Sequence, residues 1–201
     1  MFCVYFLINY HIMLLFRNTT IEDLDEIYAL ECETYGKYHW SKESFKNELT
    51  QECSRYLVCE SSTNKKEILG FTGYWLIGNE GHITTMVIGD QYRNNHLADI
   101  LLYTMIGSAV QNRINWLTLE VRISNIAAIN LYVKYKFKQL GIRKKYYQNN
   151  NEDALILWTD DILKPTYINF LNNQLLYIKE KIGVSDISQY VPLKKRGRNI
   201  I

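Results

Sequence analysis

The sequence predicts an α/β domain in which a mixed central sheet is flanked by helices. Several short segments alternate apolar and polar residues with the two-residue period of strands, and polar turns separate them. Other segments repeat apolar residues at helical spacing, and between residues 95 and 137 helix and strand alternate. The chain has 201 residues, 47% hydrophobic and 22% charged, which is enough to bury one core. One domain with short extensions is therefore expected.

The first sixty residues predict a strand, two helices and another strand. Residues 1–12 are strongly apolar and are predicted to be an extension, so the first strand of the domain begins at residue 13. Thr20 and Asp23 fit a capping box, which starts the first helix near Thr20. Ser41 caps a second, short helix, and residues 55–60 return to the strand pattern.

The next segment predicts a hairpin of two long strands. Polar residues 61–66 form the loop that precedes it. The strands are expected at residues 68–77 and 82–88, and Asn79-Glu80-Gly81 is expected to turn the chain between them.

From Asn95 onward, helices and strands alternate. A helix is expected to begin at Asn95, a strand at Trp116, a second helix from Asn125 to about Tyr135, and another strand at Phe137. Such alternation is typical of strands joined by helical crossovers.

The C-terminal part predicts one more strand and one more helix. Residues 154–158 read as the last strand, and an amphipathic helix follows Pro165. The expected domain spans residues 13–161, and residues 162–201 form a C-terminal helix and a basic tail.

The composition excludes several classes of protein. A net charge of +2 does not indicate a nucleic-acid-binding domain. The four cysteines have no C-x-x-C spacing and no histidine partner, so neither a zinc site nor a disulfide framework is predicted, and no metal is expected. The apolar N-terminus is too short to span a membrane and lacks the features of a signal peptide, which predicts a soluble intracellular protein. The four cysteines of the chain are Cys3, Cys32, Cys53 and Cys59.

A carboxylate and a phenol lie close to a strand-to-helix junction. Glu120 lies among β-forming residues, Asn125 is a good N-cap, and Tyr132 follows about two turns along the next helix. This pattern indicates an acid and base site. Two structural alternatives stay open: an ion pair of Glu120 with Arg122, and a core position for Tyr132.

A second polar segment joins a strand to a helix N-terminus. Backbone N–H groups and the positive end of the helix dipole favour an anion such as a pyrophosphate there, and an arginine adds charge. Plain helix capping is the alternative. The residues concerned are Arg93, Asn94, Asn95, His96, Leu97 and Ala98.

Together these segments resemble the GNAT superfamily of acetyl-CoA-dependent N-acetyltransferases, and within it the ribosomal-protein-alanine N-acetyltransferase (RimI) branch. The resemblance extends from about Leu14 to Trp158 and is most specific over one run of fourteen residues, Leu119 to Tyr132. Three shorter segments also match: His39-Trp40-Ser41, Arg143-Lys144-Lys145-Tyr146-Tyr147 and Glu152-Asp153-Ala154-Leu155-Ile156.

The resemblance implies a partly splayed sheet and acetyl transfer from acetyl-CoA to the N-terminal α-amine of a protein, expected to be a ribosomal one. Glu120 would accept the amine proton and Tyr132 would protonate the leaving thiolate. An α-amine, with a pKa of about 8, is easier to deprotonate than a lysine side chain at about 10.4. Asn125 and Tyr132 would contact the cofactor together with the strand residues Met86, Val87 and Ile88, whose backbone N–H groups would hold the oxyanion. Three aromatic residues would line the peptide groove or pack on it: Trp40, Tyr146 and Tyr147.

Two positions depart from the superfamily pattern. His96 stands where the phosphate loop has glycine, and Lys136 replaces the glycine that caps the Tyr132 helix. Both are expected to adopt positive φ. At His96 a Cβ crowds the cofactor, although histidine tolerates positive φ better than most residues. At Lys136 the strain is about 1 kcal/mol.

Other functions and partners are also compatible with the sequence. The acceptor could be a lysine side chain or a small amine, or the domain could be a non-catalytic binding module. The basic tail, with Lys194, Lys195, Arg196 and Arg198, suggests a weak contact with ribosomal RNA, whereas no membrane contact is expected. A composition rich in Asn, Ile, Lys and Tyr, together with the resemblance, predicts a plastid stroma, with the cytoplasm as the alternative.

Overall fold

The computed structural model describes residues 3–8, 12–61 and 67–182. Within them, eight strands form one sheet and five α-helices accompany it. The strands are β1 (Cys3–Ile8), β2 (Ile12–Asn18), β3 (Ser54–Ser61), β4 (Glu67–Ile77), β5 (Glu80–Ile88), β6 (Trp116–Arg122), β7 (Lys138–Tyr147) and β8 (Glu152–Trp158). The helices are α1 (Leu24–Tyr35), α2 (Lys42–Thr50), α3 (Leu97–Gln111), α4 (Ile126–Lys134) and α5 (Pro165–Ile182).

The sheet is mixed and splits near its centre. Its strand order is β1-β2-β3-β4-β5-β6-β8-β7, and only β5 and β6 run parallel. These two strands pair from Glu80 opposite Trp116 to His82 opposite Thr118, and no further. Beyond that point they diverge, which confirms the predicted mixed and partly splayed sheet.

Helices cover both faces of the sheet, because its central strands are apolar on both sides. In β3, Leu57 and Cys59 face one core, whereas Tyr56 and Val58 face the other. The first core lies under α3, α4 and α5, and the second lies under α1 and α2. Because successive side chains of a strand point to opposite faces of the sheet, one strand contributes side chains to both cores.

The predicted helix starts are close to the observed ones. A 3-10 turn precedes α1, and the Thr20 backbone N–H donates to Asp23 Oδ2 at 2.7 Å. Ser41 Oγ accepts from the backbone N–H of Ser44 at the start of α2, as its N-cap pattern predicts. The third helix, α3, begins at Leu97, two residues later than the pattern suggests.

The predicted turn at residues 79–81 is wrong by two residues. Ile77 pairs with Glu80 across the hairpin, so the turn consists of Gly78 and Asn79. Gly78 adopts a φ of +61°, which glycine reaches without steric cost, and this fixes the turn there. The loop expected at residues 61–66 lies mostly outside the described residues.

Two segments expected at the margins of the domain contact it. Part of the apolar segment 1–12 forms β1, which pairs with β2 from Cys3 opposite Arg17 to Ile8 opposite Ile12. The predicted C-terminal helix is α5, which buries Leu171 and Ile178 in the larger core. The basic tail lies outside the described residues.

Helix α5 is also tied to the domain by a buried hydrogen bond. The Tyr167 hydroxyl donates to the backbone oxygen of Tyr135 at 2.8 Å.

Of the five helices described, none is long and apolar enough to cross a membrane.

Candidate active site

A cleft of about 360 Å3 opens where β5 and β6 diverge. Strand divergence leaves the space between the two strands unfilled, and residues of α1, α4 and β7 close its sides. Six of the side chains predicted for the site line this cleft, although they come from five separate elements. They are Trp40, Met86, Glu120, Asn125, Tyr132 and Tyr147.

Glu120 faces the cleft from β6 and is ion-paired. Its Oε1 lies 3.0 Å from Nε of Arg143, and the Glu120 side chain is 26% exposed. The predicted alternative, a pair with Arg122, is wrong, because Arg122 pairs with Glu152 at 2.9 Å. Strand β8 lies between β6 and β7. Arg122 therefore meets Glu152 of the neighbouring strand β8, and Glu120 reaches past β8 to Arg143 of β7.

Tyr132 projects from α4 and is almost completely buried. Its hydroxyl donates to Sδ of Met86 at 3.8 Å, a weak bond. Burial raises the pKa of Tyr132 well above its usual value. At neutral pH the phenol is protonated, as a tyrosine is even at its usual pKa of about 10. The hydroxyl is therefore available as a proton donor beside β5.

Asn125 performs the capping role that its position predicts. Its Oδ1 accepts from the backbone N–H of Ala128 at 3.2 Å, which fixes the start of α4. Because α4 begins there, Tyr132 is held two turns further on, against the cleft.

The loop between β5 and α3 has the backbone shape of an anion-binding turn. Asn94 and His96 have φ values of 62° and 61°, and His96 is the N-cap of α3. Positive φ at His96 confirms the conformation expected from the glycine pattern. Arg93 pairs with Asp90 at 2.7 Å. Leu97 is buried in the core, so only its backbone can reach a ligand.

The edge of β5 facing the cleft is the other candidate contact for a cofactor. Among the described residues, this edge has no strand partner from Ile83 to Ile88, so backbone polar groups remain there to pair with the amides of an extended ligand. The side chains of Val87 and Ile88 are buried in the two cores, so these residues can contribute only backbone groups.

The three aromatic residues predicted for the groove occupy different positions. Trp40 and Tyr147 line the cleft, and the Arg122 guanidinium lies 3.7 Å from the Tyr147 ring centre. Tyr146 does not line it; its ring packs edge-on against Tyr147 at 5.2 Å and is 43% exposed. The pairing of β7 with β8 is irregular between Arg143 and Tyr147, and the two rings stay in contact although only Tyr147 lines the cleft.

Sequence reasoning missed Glu31. This α1 residue lines the cleft, yet it is only 3% exposed. Its Oε1 accepts from the Trp40 backbone N–H at 3.4 Å, while Oε2 has no hydrogen-bond partner among the described residues. Burial raises the pKa of Glu31 to about 7. One signal was present: Glu31 follows Ile27 by four residues, and so lies on the apolar face of the helix.

The backbone conformation expected for Lys136, the second departure from the superfamily pattern, is confirmed. It follows α4 with a φ of 67°, the left-handed conformation that glycine would adopt more easily.

The fold and the cleft together are those of an acyltransferase. The Acetyltransferase (GNAT) family matches residues 21–137, more than half of the chain. The chain therefore belongs to the GNAT family of acetyltransferases, and the prediction of an N-acetyltransferase is confirmed. Members of this family use acetyl-CoA.

Individual relatives support the same assignment. The chain is 36% identical over 143 residues to a Bacillus subtilis protein named as a candidate ribosomal protein bS18-alanine N-acetyltransferase, covering 71% of this chain and 92% of that protein. It is 29% identical to the bS18-alanine N-acetyltransferase of Escherichia coli K12, covering 67% and 89% of the two chains. A crystal structure of the ribosomal-protein-S18-alanine N-acetyltransferase from Escherichia coli superposes with a TM-score of 0.67 at 26% identity, covering 74% of this chain and 94% of that chain.

Proposed function

We propose that this enzyme transfers the acetyl group of acetyl-CoA to the α-amine of a protein N-terminus, with an N-terminal alanine of a ribosomal protein as the acceptor. The observation that carries this proposal is the cleft at the split of the sheet, which brings Glu120 and Tyr132 together. The named activities of the bacterial relatives support the acceptor class.

Acetyl-CoA would lie along the unpaired edge of β5, with its pyrophosphate at the N-terminus of α3. Backbone N–H groups of the loop from Arg93 to Ala98 would bind the phosphates. Asn125 would lie beside the pantetheine arm, and backbone groups of residues 86–88 beside the thioester. When bound, acetyl-CoA supplies a thioester carbonyl for attack and a thiolate as leaving group.

Glu120 and Tyr132 have complementary roles in this mechanism. An ammonium group cannot attack a carbonyl, so Glu120 accepts a proton from the acceptor amine, directly or through a water. Tyr132, which is protonated at neutral pH, donates its proton to the departing sulfur. The two groups lie on different elements, so each can serve a different reacting atom.

Acetyl transfer to peptides tests the proposal. One peptide begins with alanine and contains no lysine; its partner has an acetylated N-terminus and an internal lysine. We expect turnover of the first peptide only, because its amine loses a proton more easily. Turnover of the second peptide alone would favour the lysine alternative, and no calorimetric binding of acetyl-CoA would favour the non-catalytic alternative.

Substitution of Glu120 tests the proposed base. Glu120→Gln should lower kcat by about 100-fold near pH 7 while acetyl-CoA still binds. Glu33→Gln is the matched control, since Glu33 is exposed on α1. An unchanged kcat in Glu120→Gln would remove this residue from the mechanism.

We further propose that the basic tail contacts the ribosome and that the enzyme acts in a plastid stroma. The four tail cations support the first proposal, and the Asn-, Ile-, Lys- and Tyr-rich composition supports the second. Deletion after Ile182 leaves α5 in place and should weaken co-sedimentation with ribosomes at low salt. Equal co-sedimentation would refute the tail contact, and absence of the enzyme from isolated stroma would refute the location.

A further inference from the structure

We infer that Glu31 is a second catalytic carboxylate, which binds the charged α-amino group of the acceptor and takes its first proton. This inference rests on the proposed function and refines its mechanism: Glu31 takes the proton that activates the ammonium, and Glu120 takes the proton released as the N–C bond forms. It starts from the fact that a cleft-lining carboxylate is buried with one oxygen lacking a hydrogen-bond partner among the described residues.

A buried carboxylate without partners is unfavourable in a folded protein. Buried polar groups are almost always hydrogen-bonded, and the exceptions concentrate where a ligand supplies the missing partner. Glu48, another buried glutamate, shows the usual arrangement: it accepts from Trp75 Nε1 at 2.6 Å, Ser54 Oγ at 3.0 Å and Tyr56 Oη at 3.3 Å. Glu31 has one long bond at 3.4 Å.

An α-ammonium group matches what Glu31 lacks. It carries a positive charge and three N–H donors. Glu120, the other carboxylate that lines the cleft, already has a cationic partner in Arg143. The aromatic residues Tyr35, Tyr38 and Trp40 line the same cleft as Glu31. A neutral or acetylated N-terminus would leave Glu31 without a partner, so the site selects free amines.

Two carboxylates also balance the protons of the reaction. The acceptor enters as an ammonium with three N–H bonds and leaves as an amide with one. Glu31 takes the first proton, which frees the nitrogen lone pair. The N–C bond to the acetyl carbon then forms, Glu120 takes the second proton, and the C–S bond breaks as Tyr132 protonates the sulfur.

The pKa of Glu31 depends on its burial and on the charged groups around it. Its burial places its pKa near neutrality, just below the pKa of about 8 of an α-amine. Electrostatic interactions connect Glu31 with Tyr35 of the same helix, with His39 and with Tyr56. The other titratable and charged groups that line the cleft are Tyr38, Glu120, Arg122, Tyr132 and Tyr147.

The pH profile of kcat/KM for an alanine-started peptide tests the inference. The wild-type enzyme needs ionised Glu31 and a protonated amine, so kcat/KM should form a bell with its maximum between about pH 7 and 8. Glu31→Gln should lower kcat/KM by about 100-fold at pH 7 and convert the bell into a single rise through about pH 8, because only the neutral amine then reacts. Glu33→Gln should keep the wild-type bell.

Other readouts separate this role from a merely structural one. The KM for acetyl-CoA should stay unchanged in Glu31→Gln, and Glu31→Asp should restore part of the bell. A Glu31→Gln profile with the wild-type shape would overturn the inference.

Peptide binding in the presence of CoA distinguishes failure of the inference from failure of the proposed function. The wild type should bind the free-amine peptide more tightly than its des-amino analogue, and Glu31→Gln should lose that difference. This result without any turnover would support Glu31 while refuting the proposed function. Equal binding of both peptides by the wild type would overturn the role of Glu31.

Discussion

Replacing Glu31 with glutamine should change the pH dependence of folding stability. Burial raises the pKa of Glu31 from an ordinary value of 4.5 to about 7, so between these values the folded chain holds a proton that the unfolded chain has lost. Stability therefore falls as the pH rises through this interval. Below it, both states are protonated and the group makes no difference.

The size of the effect follows from the two pKa values. Each tenfold change in proton affinity is about 1.4 kcal/mol, so the ionised wild type above pH 7 is about 3 kcal/mol less stable than it would be with an ordinary carboxyl. Glutamine is uncharged and of the same shape, and it keeps the acceptor for the Trp40 N–H. Its own amide protons lack partners at this site, which costs about 1 kcal/mol. Glu31→Gln should thus be about 2 kcal/mol more stable than the wild type at pH 8, and equal to it or less stable at pH 5.

Urea unfolding at pH 5, 6.5 and 8 measures this difference, and a thermal midpoint raised by about 4 to 8 °C at pH 8 should accompany it. Glu33→Gln removes an exposed charge from the same helix and should show no such trend. If the stability difference between Glu31→Gln and the wild type is the same at pH 5 and pH 8, the reasoning about a buried, unpaired carboxylate is refuted.

Three further predictions concern other parts of the molecule. Tyr132→Phe should lower kcat by about 100-fold. It should change the unfolding free energy by less than about 1 kcal/mol, because the Tyr132 hydroxyl makes only a weak bond to sulfur. Kinetics and urea unfolding measure the two effects, and an unchanged kcat would exclude Tyr132 as the proton donor. His96→Gly should keep acetyl-CoA affinity, whereas His96→Val should lower it at least tenfold, since a β-branched residue resists positive φ; equal calorimetric affinities would contradict this. Leu171→Ala should cost about 2 to 4 kcal/mol because its side chain is fully buried between α5 and the core, and a loss below 1 kcal/mol in urea unfolding would show that α5 is not part of the cooperative unit.

Local sequence signals were sufficient for most secondary structure. The Ser41 and Asn125 caps begin α2 and α4 as expected, since capping depends on one side chain and a backbone N–H three residues away. The Gly78 turn was misplaced because the neighbouring Asn79 and Gly81 are also turn-forming residues, and only the strand register selects between them.

Charge partners could not be assigned in the same way. Glu120 pairs with Arg143, more than twenty residues away along the chain, because β8 brings β7 to the β6 side of the sheet. The sequence offered Arg122, which is nearer in the chain but has a cross-strand partner of its own.

The sequence by itself determined the class of fold, the family, and the Glu120 to Tyr132 segment, because each depends on short-range patterns along one stretch of chain. It also determined that His96 and Lys136 must adopt positive φ. Only the tertiary structure decided that Glu31 shares a cleft with Glu120. The reason is physical: a carboxylate on an apolar helix face becomes chemically distinctive only when packing removes its water and leaves one of its oxygens without a partner among the described residues. Packing of this kind joins residues from separate elements.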